Sequence, residues 1–340
     1  MAPRKYIEKV IDGYERMFGE KPKMNVTSPL EKGDHPEIDT SALLEPKQIQ
    51  MYQSLIGSMQ WAVSLGRLDI ATAVMTLSGF RALPRQGHLD RAKRIVGYLA
   101  KMRHAVIRFR VSEPDYSDLP WFEYDWEKSI YGNVHEDIPT DAPIPLGKYV
   151  LLTHYLDANL YHDMLTGRSV SGILHFMNQT PLDWYSKKQG SVETATYGSE
   201  FMASRTCVEQ LIDLRTTLRY LGVPIRDQSY MFGDNEAVVN SSTKFDAKLH
   251  KRHSALSYHR VREAIAAKVV RYYHLAGEYN PADVLSKHWA YGNVWKLLQP
   301  LLFWQGDTAQ IDSHNLKTTI AQKPQSPMPS RHPLPCPRAE

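Results

Sequence analysis

Hydrophobic positions recur at helical spacing over the first hundred residues. Tyr6, Ile7, Val10, Ile11, Tyr14, Met17 and Phe18 predict an amphipathic helix, and Gly19 and Pro22 end the pattern. Residues 25–46 are rich in turn formers and read as a loop. A second helix is predicted over 48–65, with Tyr52, Leu55, Ile56, Met59 and Val63 on one face. A third, over 68–81, is built on Ile70, Val74 and Leu77. After Pro84 and Gly87 a fourth carries Leu89, Ala92, Val96 and Leu99. This helical array holds no obvious catalytic set of its own.

From residue 148 the period changes. Apolar, β-forming runs cover 149–156, 170–177 (with Gly172 inside) and 182–186, and their short connections predict an antiparallel meander. A long amphipathic helix over 199–220 uses Met202, Val208, Leu211, Leu214 and Leu218, and Gly222-Val-Pro224 stops it. A strand at 228–232, helices at 237–241 and 249–267, a strand at 269–275 and a helix opened by Pro281 follow. The fold class predicted is α/β: a mixed sheet with flanking helices, preceded by a small helical subdomain. Residues 1–110 form the helical part, 148–304 the α/β domain, and 305–340 a polar, proline-rich tail that reads as disordered.

Composition narrows the class. Of 340 residues 42% are hydrophobic and 23% charged, which fits a globular chain and excludes a wholly disordered one. No apolar run approaches the ~20 residues of a membrane helix, so no membrane partner is expected. No apolar run follows the N-terminal charges, so no secretory signal is read. The two cysteines, Cys207 and Cys336, exclude a disulfide framework and make a reducing compartment the default. The net charge of +4 is uneven. Residues 111–147 hold nine acids and one base, Lys128, leaving +12 on the rest. That stretch also carries five prolines with Trp121, Phe122, Tyr124 and Trp126, and reads as an acidic linker or insertion whose aromatics could dock on a neighbour. A basic body permits a polyanionic partner.

Four acids stand at the ends of predicted elements. Asp157 follows the first strand, and Asp234 follows the strand ending in Tyr230-Met-Phe. Glu200 lies in the first turn of the long helix and Asp283 in that of the last. Each alone has an ordinary explanation as a cap, a turn residue or a partner of the helix dipole. If the two strands are neighbours, all four can converge on one end of the sheet. Crowded carboxylates repel unless cations neutralise them, and hard oxygen ligands suit Mg2+ or Mn2+. Two such ions ~4 Å apart would clamp the attacking and leaving oxygens of a phosphodiester.

The motifs carry a further resemblance. Tyr52-Gln-Ser-Leu-Ile-Gly-Ser-Met, Gly66-Arg-Leu-Asp-Ile-Ala-Thr-Ala-Val and His88-Leu-Asp-Arg-Ala-Lys-Arg-Ile-Val-Gly-Tyr-Leu are followed by Thr166-Gly-Arg-Ser-Val-Ser-Gly and Trp184-Tyr-Ser-Lys-Lys-Gln. Gly198-Ser-Glu-Phe-Met-Ala, Gly233-Asp-Asn-Glu-Ala, Lys251-Arg-His-Ser-Ala-Leu-Ser-Tyr-His-Arg-Val-Arg-Glu and Ala282-Asp-Val-Leu-Ser-Lys complete the series. In this order the blocks resemble the C-terminal part of a copia-type retrotransposon Pol polyprotein, the end of the reverse transcriptase followed by ribonuclease H. The resemblance implies a ribonuclease H-like fold and a remnant of the reverse transcriptase C-terminal region over 1–110. It implies hydrolysis of the RNA strand of an RNA–DNA hybrid and a metal site of Asp157, Glu200, Asp234 and Asp283. Asp157, Glu200 and Asp234 would hold one Mg2+ or Mn2+, with Asp157 and Asp283 completing the second. It also implies the remaining polyprotein parts, reverse transcriptase and integrase, as partners, and a cytoplasmic, virus-like-particle or nuclear setting.

The chain departs from that pattern in places. Ala158-Asn-Leu-Tyr-His-Asp stands where the family often has tryptophan and glycine, and Gly198 where it usually has a second glutamate. No Tyr-x-Asp-Asp polymerase signature occurs, so polymerisation is not expected. Eight bases against two acids over 244–271 make that segment the best candidate for phosphate contacts. The expected nucleic-acid contacts are Lys187, Lys188, Lys251, Arg252, His253, His259 and Arg262. His250 and His253, three apart on a predicted helix, could instead pair on a metal, though histidines beside phosphates explain them as well. The alternative to a nuclease is an inactive retrotransposon relic that binds nucleic acid weakly; an integrase-like nuclease fits less well, because the acids run Asp, Glu, Asp, Asp.

Overall fold

The computed structural model describes residues 3–249 and 251–303; His250 and the tail from 304 lie outside the described residues. Four helices open the chain: α1 Arg4–Phe18, α2 Pro46–Ser64, α3 Ala71–Ser78 and α4 Gln86–Lys101. α1 stops where Gly19 turns left-handed at φ 67° and its N–H closes on the Glu15 carbonyl. α2 starts with proline at its first position, where no amide hydrogen is needed, and Gln48 folds back onto the Glu45 amide. The Gly66-Arg-Leu-Asp block becomes a buried ion pair. Arg67 donates to both oxygens of Asp69 at 2.9 and 2.7 Å, and the Tyr98 hydroxyl donates to the same carboxylate. Tyr52, Ile56, Met59, Leu77 and Leu99 form a core that runs on into Leu174, Phe176, Leu285 and Trp289 of the α/β part.

A short strand β1, Val106–Ile107, leaves the array and pairs antiparallel with β7, Leu302–Phe303, near the end of the described chain. Between them lies the main sheet: β2 Leu152–Asn159, β3 Val170–Met177, β4 Thr180–Lys188, β5 Ser229–Gly233 and β6 Val270–His274, in the order β4-β3-β2-β5-β6. The first three strands form the predicted antiparallel meander, whereas β5 and β6 run parallel to β2. α5, Thr196–Tyr220, connects β4 to β5, and α6 Glu236–Thr243 with α7 Ala255–Ala266 connect β5 to β6. α5 and α7 cover one face through Leu156, Ile173, Phe201, Val208, Met231 and Val261. α8 Asp283–Ser286, α9 Tyr291–Leu298 and the N-terminal helices cover the other.

Several element boundaries differ from the periodicity, two of them near the C-terminal end of the α/β part. Helix formation at 249–267 begins only at Ala255, after a 3-10 turn over Arg252–Ser254. The helix opened by Pro281 lasts one turn, because Lys287 turns extended before α9 starts. No helix among the described residues is long and apolar enough to cross a membrane.

The acidic segment 111–147 is a strap rather than a free tether. Tyr116 packs on Tyr230 and Phe232, and Trp121 on Tyr273, over the part of the sheet that the helical array leaves uncovered. Lys268 then pairs with Glu123, and Trp126, buried, packs against Phe245 and under the Arg262 guanidinium on the α7 side. Glu136 accepts two hydrogen bonds each from Arg215 and Arg219 of α5, at 2.6 to 2.8 Å. The aromatics and carboxylates that made the segment look like an insertion are the groups that bind it down.

Candidate active site

The register of the central strands sets the first two acids. β2 and β5 pair in parallel through Tyr155 and Phe232, so two residues further on Asp157 and Asp234 stand side by side. Asp157 is inside β2, not beyond its end as the apolar run suggested, and is paired with Gly172 of β3. It nonetheless marks an end, because β5 has stopped at Gly233. α5 brings Glu200 from one face, and the Glu200 Oε1 accepts the Ala158 amide at 3.2 Å. One carboxylate oxygen from each of Asp157, Glu200 and Asp234 lies within 4.8 Å of the others.

Asp283 reaches the cluster from the other face. Gly172 allows it: a Cβ there would stand 2.7 Å from the Ala282 carbonyl oxygen and 2.8 Å from the Ser286 amide, so only glycine lets α8 sit this close to β3. Asn280, fully buried, pins the approach by donating to the Leu156 carbonyl at 2.8 Å and accepting from the Ala282 amide. The Ser286 hydroxyl donates to Asp157 Oδ2. Lys287 pairs with Asp283 and lies 3.7 Å from the same Asp157 oxygen.

Burial and mutual repulsion act together on these groups. Asp157 is 1% and Glu200 5% exposed. Burial, reinforced by Asp234, pushes the Asp157 carboxyl up to about 6, even though Lys287 and Ser286 pull it down. Burial, then Asp157 and Asp234, raises Glu200 well above the usual carboxylate range. Asp283 is raised by burial and by Asp157. Glu200 Oε2 is buried and has no hydrogen-bond partner among the described residues. An orphaned oxygen among three clustered carboxylates is costly unless a cation completes it, so the donor set fits a hard divalent ion.

The expected nucleic-acid contacts divide. Lys187, Arg252 and His253 are exposed and Lys251 is half-buried. His253 Nε2 lies 3.2 Å from Glu193 Oε2, whose carboxylate fills the space beside Gly198, where a Cβ would come within 2.2 Å of it. Lys188 is paired with Asp163. Arg262 is a correction. It is 4% exposed, donates to the carbonyls of Ser241, Lys244 and Phe245, and stacks on Trp126, so its guanidinium is buried in the fold rather than offered at the surface to a phosphate. His259 is half-buried and engaged by the Tyr131 hydroxyl of the strap at 2.8 Å. The His250–His253 pairing falls on a residue outside the described set.

Residues not singled out from the sequence complete the site. Lys287 and Ser286 belong to the same block as Asp283, with Asn280 just before it, and their spacing from Asp283 was the available signal. His274, at the end of β6, lies with Nε2 3.1 Å from the Asp234 carbonyl oxygen, and the backbone at Gly277 runs close beside the Asp234 carboxylate.

No protein-family model matches the chain. Over 300 residues, 84% of its length, it is 23% identical to the retrovirus-related Pol polyprotein of transposon TNT 1-94 from Nicotiana tabacum, covering 19% of that protein. It is also 23% identical over 236 residues, 69% of its length, to the Pol polyprotein of transposon RE1 from Arabidopsis thaliana, covering 14% of it. The chain thus spans a fifth or less of the length of these relatives. Among solved structures, the N-terminal RNase H domain of a Mycobacterium tuberculosis protein, fused to maltose-binding protein, aligns with 44% of this chain and 97% of its own at 15% identity and a TM-score of 0.31. The relatives are transposon Pol polyproteins, in line with the resemblance of the motifs, and the fold is the expected α/β one, a mixed five-stranded sheet with flanking helices.

Proposed function

We propose that this chain, a relative of retrotransposon Pol polyproteins, is a metal-dependent endoribonuclease that cuts the RNA strand of RNA–DNA hybrids and acts within such a polyprotein beside reverse transcriptase and integrase. The observation that carries the reading is the convergence of Asp157, Glu200 and Asp234 from three elements to within 4.8 Å, with Glu200 Oε2 buried and unpartnered among the described residues. These three would hold Mg2+ or Mn2+, and Asp283 would join Asp157 in a second seat. A divalent ion bound there supplies activation of water and neutralisation of the charge developing on the phosphate.

The chain's own groups do the positioning. The Ala158 amide orients Glu200, and Ser286 and Lys287 hold Asp157. Exposed Lys187, Arg252 and His253, with Lys251, would contact the phosphate backbone, and such contacts bind every sequence alike. Contacts to 2′-hydroxyls would distinguish the RNA strand.

The test compares wild-type protein with Asp234→Asn on a labelled hybrid across Mg2+ and Mn2+ concentrations. Asp234→Asn keeps the side chain's size but removes one ligand charge, so cleavage should vanish while hybrid binding stays equal or tightens. Wild-type protein that binds hybrid and cuts nothing at any concentration of either ion would leave the inactive alternative instead.

A further inference from the structure

The four acids are not served alike. One carboxylate oxygen from each of Asp157, Glu200 and Asp234 clusters within 4.8 Å of the others, and within that cluster Glu200 keeps a buried oxygen without a hydrogen-bond partner among the described residues. The gap between Asp157 and Asp283 is different, because an ammonium already fills it. Lys287 pairs with Asp283 Oδ1 and lies 3.7 Å from Asp157 Oδ2. Its placement is built into the backbone. Gly172 seats α8 on β3, Asn280 anchors the preceding loop, and Ser286 binds Asp157 from the adjacent position. The chain then leaves the helix at Lys287 in an extended conformation, one helical turn past Asp283. The side chain is 40% exposed, so it can withdraw into solvent without dismantling the fold.

We propose that Lys287 is the resident cation of the Asp157–Asp283 half of the site. Divalent ions therefore bind in order: a first to Asp157, Glu200 and Asp234, and a second only by displacing the Lys287 ammonium. The inference rests on the metal-dependent reading above and adds to it an order of loading set by one side chain. Its physical basis is that two carboxylates neutralised by a close lysine offer a second cation much less attraction than two bare ones.

The test needs no substrate. The full chain is titrated with Mn2+ alone, and free ion is counted by electron paramagnetic resonance. Wild type should take one ion and then a second at least about tenfold more weakly. Lys287→Gln should tighten the second association by about tenfold or more and leave the first less changed, whereas Lys287→Arg, which keeps the charge, should titrate like wild type. Asp283→Asn provides a second route that does not depend on how the lysine variants fold: it should lose the weak association and retain the first. Lys287→Gln titrating like wild type, or Asp283→Asn losing the first ion, overturns the inference and leaves the metal site standing. Wild-type protein that takes up no Mn2+ overturns both.

Discussion

Gly172→Ala tests the link between packing and the proposed chemistry, because it adds one methyl group and touches no candidate ligand. The added Cβ would meet the Ala282 carbonyl oxygen and the Leu285 carbonyl carbon at 2.7 Å and the Ser286 amide nitrogen at 2.8 Å. All three are backbone atoms, so no rotamer relieves the clash. Ordinary contact begins near 3.4 Å, so α8 and β3 must part by about 0.7 Å. Overpacking of this size costs about 1–3 kcal/mol, partly offset by the stiffer unfolded chain, so the variant should still fold. The same shift carries Asp283, Ser286 and Lys287 away from Asp157. Misplacement of about 1 Å near reacting groups costs about 100-fold in rate, so roughly 10- to 100-fold is expected. The assay is the initial rate of RNA cleavage at saturating hybrid, with urea unfolding measured on the same preparation. A folded variant that cleaves within about twofold of wild type would refute the claim that contact between α8 and β3 sets the site.

Glu136→Ala should cost about 2–3 kcal/mol by urea unfolding at pH 7, since it strands the buried Arg215, which keeps only Ser229 and the Asp227 carbonyl. Burial alone would raise the Glu136 carboxyl, but Arg215 and Arg219 hold it down at about 2. A depressed carboxylate stabilises fully above its unfolded value near 4.5 and loses that contribution as pH falls toward 2, so the gap between wild type and variant should narrow below about pH 4.5. An unchanged midpoint at pH 7 would mean that the strap is not docked through Glu136. Lys251→Ala with Arg252→Ala should weaken hybrid binding at all sequences and flatten its salt slope by about one unit for each phosphate no longer neutralised, with the rate at saturation preserved. Normal binding together with a collapsed maximal rate would assign these bases to the chemistry instead.

What could be read along the chain was whatever depends on near neighbours. The repeat of Tyr6, Val10 and Tyr14, or of Val208, Leu211 and Leu218, marks a helix because side chains three and four apart share a face. The change to short apolar runs after residue 148 announced the meander for the same local reason. The order of the acids was legible too, although Asp157 lies inside β2 and Glu200 stands beyond the first turn of α5, which starts at Thr196. Sequence could not tell that Asp157 lies within β2, because a strand's end as a ligand platform is defined by where its neighbour β5 stops. Nor could it separate Lys251 and Arg252 from Arg262. The three look alike in a basic run, and only the strap's Trp126 and the carbonyls of residues 241–245 decide that Arg262 is spent inside the fold. Gly172 and Lys287 carry the same lesson. A glycine is a seat for α8, and a lysine a resident cation, only once β3 and α8 are in contact. Periodicity is fixed by covalent neighbours, whereas the availability of a charge is fixed by what covers it, and that partner is distant in the chain.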